Sequence, residues 1–369
     1  MLGRIVKDFA PSADNPRNSE GSFVTLKDGS VLFAYSRYSG GDSDDGAPAD
    51  IYGCISTPDG EDFSPAFPVL THGELDAVNL MSVSLIRMNN GDIGMFFLVK
   101  RRPYQCIPHF MRSCDEGKSW SKPKKIIDEP GFFILNNDRV LHLKDGAFML
   151  AVAFCPVTAG DDADGITFKK GAAANPEHIW VFRSDDDGNV WKKTAVIAYD
   201  YAPKSCFHAG WQEPGLLEES DGTLRMMIRT EFGRIYESIG SRDGTTWSRP
   251  VPSAFTSPQS PISMKRLSGG ETLYVWNPIP LWNGKSQNVR GIWTGARSPL
   301  CAALWSGDKI PSGREIENDA CRGYAYTAIH ELADGSVLLA YCAGGPEDGG
   351  MLNRLRIKKL RQSEIATLK

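Results

Sequence analysis

The chain contains no apolar run approaching the roughly 20 residues needed to cross a bilayer. Its first residues, MLGRIVKDFAPSADNPRN, lack the apolar centre of a secretion signal. A cytoplasmic protein is expected, with a secreted form trimmed of its leader as the alternative. Positive charge is not in excess. Lys and Arg number 41 against 45 Asp and Glu, a formal net charge of -4. That balance calls for neither nucleic acid nor a membrane as partner. The eight cysteines form no Cys-x-x-Cys pair, and no His joins them at zinc-finger spacing. They read as free, mostly buried thiols of a reducing compartment. A phosphate-binding loop, a dinucleotide fingerprint and a His-Glu-x-x-His helix are missing as well. No cofactor and no metal are therefore expected. No stretch reads as a long amphipathic helix.

What the 369 residues do contain is repetition. A few apolar residues, a polar turn with Gly and a second apolar run recur six times. The copies centre on Gly29, Gly91, Gly146, Gly222, Gly270 and Gly335. Each reads as a β-hairpin, because Asp-Gly, Asn-Gly and Gly-Gly supply the positive φ of a tight turn. Spacing between the turn glycines runs from 48 to 76 residues, which fits blades with variable loops rather than a strict solenoid. Six hairpins, each extended to about four strands, account for the length. The expected fold is all-β: a six-bladed β-propeller, one domain over residues 1–369. The polar stretch from Ala159 to Pro176 reads as an insertion loop within a blade. The alternating LNRLRIKKL, 352–360, reads as a last strand that pairs near the N-terminus.

A second motif is interleaved with the first. SCDEGKSW starts at Ser113, SDDDGNVW at Ser184 and SRDGTTW at Ser241. STPDGEDF at Ser56 is looser, and a remnant stands at Trp305-Ser306-Gly307-Asp308. Ser and Asp side chains can bond the turn's own backbone, Gly takes the strained φ, and the aromatic residue folds back onto the sheet. That explains the run Asp185, Asp186 and Asp187 without a calcium ion.

This alternation of S-x-D-x-G-x-T-W turns with hairpins resembles the sialidase superfamily, whose Asp-box it matches over nearly the whole chain. The resemblance implies a glycoside hydrolase acting on a terminal sugar that bears a carboxylate. It implies a Tyr nucleophile with a Glu beside it, an Asp general acid and three arginines on the carboxylate. A phenol is neutral until the Glu takes its proton, so the substrate carboxylate does not repel it. Arginine suits the carboxylate because its planar fork meets both oxygens.

In QEPGLLEESDGTLRMMIRTEFGR the matching positions are Glu213 and Arg229. In RGYAYTAIHELADG the Tyr falls on Tyr326, with Tyr324 as fallback because strand alternation places both on one face. The third arginine falls on Arg297. The first departs from the pattern. Ser19 and Glu20 stand at its place, with Arg17 nearby and Arg37 at the end of the first hairpin as substitutes. Glu20 would repel a carboxylate yet accept hydrogen bonds from a sugar hydroxyl. The acid belongs in the loop SGGDSDDGAPADI, which offers Asp42, Asp44, Asp45 and Asp50. Spacing favours Asp44 or Asp45.

Two further clusters are candidates. Asn136, Asn137, Asp138 and Arg139 form a polar knot between apolar segments and are expected to line the site. His208 and Trp211 precede Glu213, and Trp211 is expected either to stack on a sugar ring or to pack within the fold. The expected activity is release of a terminal, acidic sugar from a glycan or small sugar substrate, with retention of configuration. A propeller hydrolase for another sugar and a non-catalytic carbohydrate-binding propeller are the alternatives. A phenol beside a carboxylate favours the enzyme.

Overall fold

The computed structural model describes residues 1–102, 105–155, 177–200, 210–281, 295–305 and 312–369, with short backbone segments between them. His208, Cys206, most of the 159–176 insertion and the Ser306–Asp308 remnant lie outside the described residues. The regular secondary structure of the described residues is almost wholly β-strand.

The strands fall into antiparallel groups in chain order. The first holds Asn18–Thr25, Val31–Tyr38, Ala49–Ser56 and Phe67–Leu70. The second holds Asn79–Arg87, Ile93–Arg102, Gln105–Ser113 and Lys124–Lys125. In the third, Phe132–Ile134 and Leu141–His142 both pair with Phe148–Cys155, followed by His178–Ser184 and Lys192–Ile197. Single parallel pairs, Ala49 with Asn79 and Cys106 with Phe132, link these three groups into one 13-stranded sheet. The fourth group holds Gln212–Glu218, Leu224–Arg229, Arg234–Gly240 and Val251–Thr256. The fifth holds Ser263–Arg266, Thr272–Trp276, Leu300–Trp305 and Arg314–Glu317. The last joins Ala325–Glu331, Val337–Cys342 and Leu355–Leu360 to the N-terminal Arg4–Phe9, so the final strand does pair with the first.

The hairpin turns are alike for a local reason. In all six, the residue three before the Gly accepts from the Gly N–H and donates to the carbonyl of the residue after it. Each Gly lies at φ between +75° and +88°. This is a type I turn closed by a left-handed Gly, a conformation an L side chain resists. The interleaved turns are also alike. Ser113 and Ser184 donate to Asp115 and Asp186 and accept from Gly117 and Gly188. Ser241 donates to Asp243, and the Trp191 and Trp247 indoles donate to the carbonyls of Gly188 and Gly244.

Apolar clusters lie between consecutive groups. One joins Leu32 and Ile51 of the first to Leu85 and Phe97 of the second. Another joins Leu273 and Leu300 of the fifth to Leu339 and Tyr341 of the last. A further cluster joins Phe33 and Tyr35 of the first group to Leu338 and Ile357 of the last. The seven described cysteines are free, five of them buried, with Cys114 exposed and Cys321 partly so.

Candidate active site

The first strands of four groups share one irregularity. Their pairing slips at Ser19/Ser22, Met81/Ser84, Gln212/Gly215 and Ala325/Ala328. Inside each slip stands a non-glycine residue with positive φ: Glu20 at 55°, Ser82 at 60°, Glu213 at 42° and Tyr326 at 61°. Asp138, at 55°, holds the corresponding place in the third group. Each departure costs of order 1–3 kcal/mol and persists only where its surroundings impose it. Here the bulges bring Ser82 onto Glu20 and Tyr326 onto Glu213.

Tyr326 and Glu213 meet. The phenol donates to Glu213 Oε1 at 3.2 Å. Arg229 Nη1 lies 2.6 Å from the same oxygen and donates to the Tyr326 hydroxyl at 3.4 Å. Arg297, 1% exposed, places its Cζ 5.3 Å from the Tyr326 ring centre and donates to the Gln259 carbonyl at 2.9 Å. Burial first and the Glu213 charge second push the Tyr326 phenol up to about 12, with Arg297 and Arg229 pulling the other way. Burial works against the Arg229 charge, but Glu213, Tyr326 and Glu177 hold it above its ordinary value.

Arg17 reaches Glu20 and is held on several sides. It is 1% exposed and lies over the Tyr38 ring at 4.5 Å. Its Nη1 meets Asp45 Oδ1 at 2.6 Å and the Ser43 carbonyl at 3.1 Å. Its Nη2 meets Ser19 Oγ at 3.2 Å and Glu20 Oε1 at 3.4 Å. Ser82 donates to Glu20 Oε2 at 2.6 Å. Burial raises the Glu20 carboxyl, which Arg17 and Ser82 partly offset.

The polar knot belongs to the same centre. Asn137 donates to the carbonyls of Gly21 and Tyr326 at 2.8 and 3.1 Å. Asp138 accepts from Ser22 at 2.9 Å and from the Ile329 N–H at 3.1 Å. Arg139 donates to the Ile262 carbonyl at 2.6 Å. A Cβ on Gly215 would stand 2.7 Å from the Arg139 guanidinium, so Gly215 makes room for that side chain.

Several sequence expectations are corrected. Trp211 is fully buried among Tyr199 and Tyr236 and donates to the Ala198 carbonyl, so its ring is core and cannot stack on a sugar. Tyr324 is fully buried against Tyr341. The bulge that begins at Ala325 breaks the alternation that would have put it beside Tyr326. Arg37 lies over the Tyr52 ring at 4.7 Å, on the pleat opposite Tyr38 and hence away from Arg17. Asp44 is exposed and accepts from the Gly46 N–H, Asp42 accepts from Asp44, and Asp50 holds His72. Asp45 is the loop aspartate that meets Arg17.

Sequence reasoning passed over Ser82 and Glu177. Ser82 stands nine residues before Gly91, as Glu20, Glu213 and Tyr326 stand nine before Gly29, Gly222 and Gly335. That constant count was the available signal. Glu177, raised by burial, accepts from the Cys155 thiol at 3.3 Å and acts electrostatically on Arg229.

Residues 34–339 match the BNR repeat-like domain, and the chain belongs to that family. Among solved structures, a Dyadobacter fermentans protein of unknown function superposes with a TM-score of 0.70 at 17% identity, covering 97% of this chain and 99% of that one. The leech intramolecular trans-sialidase superposes with a TM-score of 0.70 at 15% identity, covering 100% of this chain and 71% of that one. A Hadza microbial sialidase, Hz136, gives 0.69 at 16%, covering 97% and 69%. The fold is therefore that of sialidases. No curated protein matches the chain.

Proposed function

We propose that the chain is a six-bladed β-propeller whose central cluster makes it a retaining exo-glycoside hydrolase. The cluster shared by the first and last strand groups supports a closed ring. So does the meeting of residues from remote groups at one centre, such as Ser22 with Asp138 and Tyr326 with Glu213.

The hydroxyl of Tyr326 on Glu213 carries the reading. With a phenol held near 12, an adjacent carboxylate is what makes a nucleophile at neutral pH. Glu213 takes the phenolic proton as Tyr326 Oη attacks the anomeric carbon. The glycosidic bond breaks, and the leaving oxygen takes a proton from Asp45. Water then attacks the tyrosyl-linked sugar, gives a proton to Asp45, and the phenolate recovers its proton from Glu213. Two inversions give net retention. Arg229 fixes Glu213, and Arg297 lies against the phenol ring. A carbohydrate-binding protein without chemistry has no use for this pair.

The test is a panel of chromogenic glycosides, followed by trapping with a fluorinated glycosyl fluoride of the active sugar. The expected result is hydrolysis with retention, read by NMR, and an adduct on Tyr326 in peptide mass spectra. An adduct on another residue, or inversion, would sink the mechanism. Binding without any turnover across the panel favours the non-catalytic propeller.

A further inference from the structure

We propose that Glu20 sets the substrate class: the site takes a terminal sugar that carries no carboxylate, and Glu20 accepts hydrogen bonds from its hydroxyls. This rests on Tyr326 and Glu213 being the reacting pair. Binding a carboxylate needs guanidinium forks with N–H groups to offer. At Arg17 both terminal nitrogens are already committed, to Asp45, the Ser43 carbonyl, Ser19 and Glu20. While Asp45 holds the proton it gives to the leaving oxygen, Glu20 alone offsets the Arg17 charge, so Arg17 has no charge in surplus. At Arg229, Nη1 is taken by Glu213 and the Tyr326 hydroxyl.

The unmet groups at the centre are of both kinds, since Arg17 Nε and Arg229 Nε are buried without an acceptor, and a sugar hydroxyl can both donate and accept. Glu213 Oε2 is buried with no hydrogen-bond partner, on a residue 9% exposed. Glu20, 4% exposed, takes one donor on each oxygen where a carboxylate has room for about four. Sugar hydroxyls supply such donors, whereas a ligand carboxylate brings only acceptors and a charge that both glutamates repel. The neutral phenol keeps a purpose in this setting, because the anion that an acidic nucleophile would face is the protein's own Glu20.

The experiment uses the full chain, wild type and Glu20→Gln, with thermal melts to establish that the variant folds. Calorimetry with the glycal of N-acetylneuraminic acid is expected to give no detectable heat for wild type at millimolar ligand. Glu20→Gln is expected to bind it at least about tenfold more tightly. In parallel, wild type is expected to cleave a neutral aryl glycoside and not an aryl sialoside, and Glu20→Gln to raise KM for the neutral substrate. Equal or absent glycal binding by both forms, or cleavage of the sialoside by wild type, overturns the proposal. Should Tyr326→Phe retain activity on the neutral glycoside, the reacting pair falls while the substrate class stands.

Discussion

The hydroxyl of Tyr326 and Oε1 of Glu213 lie 3.2 Å apart, although 113 residues separate them in the chain. Each stands in a bulge of its own strand with positive φ. The contact is made by two strained residues, which is where a fold stores constraint for chemistry. Tyr326→Phe removes one hydroxyl and leaves the ring against Arg297. Turnover on an active aryl glycoside is expected to fall by at least about a thousandfold. Circular dichroism and melting temperature should be unchanged. Near-native turnover would move the nucleophile elsewhere.

Arg229 and Glu213 form an ion pair with side chains 12% and 10% exposed. Removing one partner of such a pair leaves the other buried and uncompensated, at about 3 kcal/mol. Arg229→Met is expected to lower the melting temperature by several degrees and turnover by at least about tenfold. Arg229→Lys keeps the charge and should retain most of the stability. Equal loss in both variants would point to packing rather than charge.

The fold was legible because glycine is. Gly29, Gly91, Gly146, Gly222, Gly270 and Gly335 each stand at a left-handed position few other residues tolerate, so the hairpins announce themselves. Glu213, Arg229, Arg297 and Tyr326 were legible through the resemblance to the sialidase superfamily, which implies such residues beside those turns and Ser-x-Asp motifs, and the structure brings all four together. Alternation misled at Tyr324, because it assumes an unbroken strand, and nearness in sequence to Glu213 misled at Trp211, because it knows nothing of burial. The slip at Ala325/Ala328 sends Tyr324 into the core and Tyr326 to the centre. Ser82 gave no sign beyond its count from Gly91, since a serine on a strand reads as any polar position. Arg17 was reachable only by noting that a long side chain can enter from an earlier backbone position.

His109, 4% exposed, donates its ring N–H to the Ile107 carbonyl and is pushed down to about 4 by burial. In the unfolded chain it titrates near 6.5. The unfolded state therefore binds the extra proton between those values. The contribution is fully present above pH 6.5 and is lost as pH falls toward 4, on the order of 3 kcal/mol in all. His330, also lowered to about 4 by burial, acts in the same direction. Melting temperature is expected to drop between pH 6.5 and 4, and His109→Phe to reduce that drop without removing it. An unchanged acid profile in the variant would show that His109 is not a source of it.

Glu213 plays two opposed parts toward Tyr326, and pH separates them. It accepts the phenolic proton, and its charge helps to hold the phenol near 12. At pH 7 a phenol at 12 is ionised to only about one part in 10⁵, so wild type depends on the carboxylate as base. Glu213→Gln removes the base and also the charge that raised the phenol. Hydroxide can then ionise Tyr326 more readily than before. On a dinitrophenyl glycoside, whose leaving group needs no acid, turnover by Glu213→Gln is expected to be lowest near pH 7. It should then rise by up to about tenfold per pH unit toward pH 9. Wild type should change far less over that range, and Glu213→Gln combined with Tyr326→Phe should stay flat and near background. A rise that persists in the double variant would assign the alkaline rate to solvent hydroxide rather than to the Tyr326 phenolate.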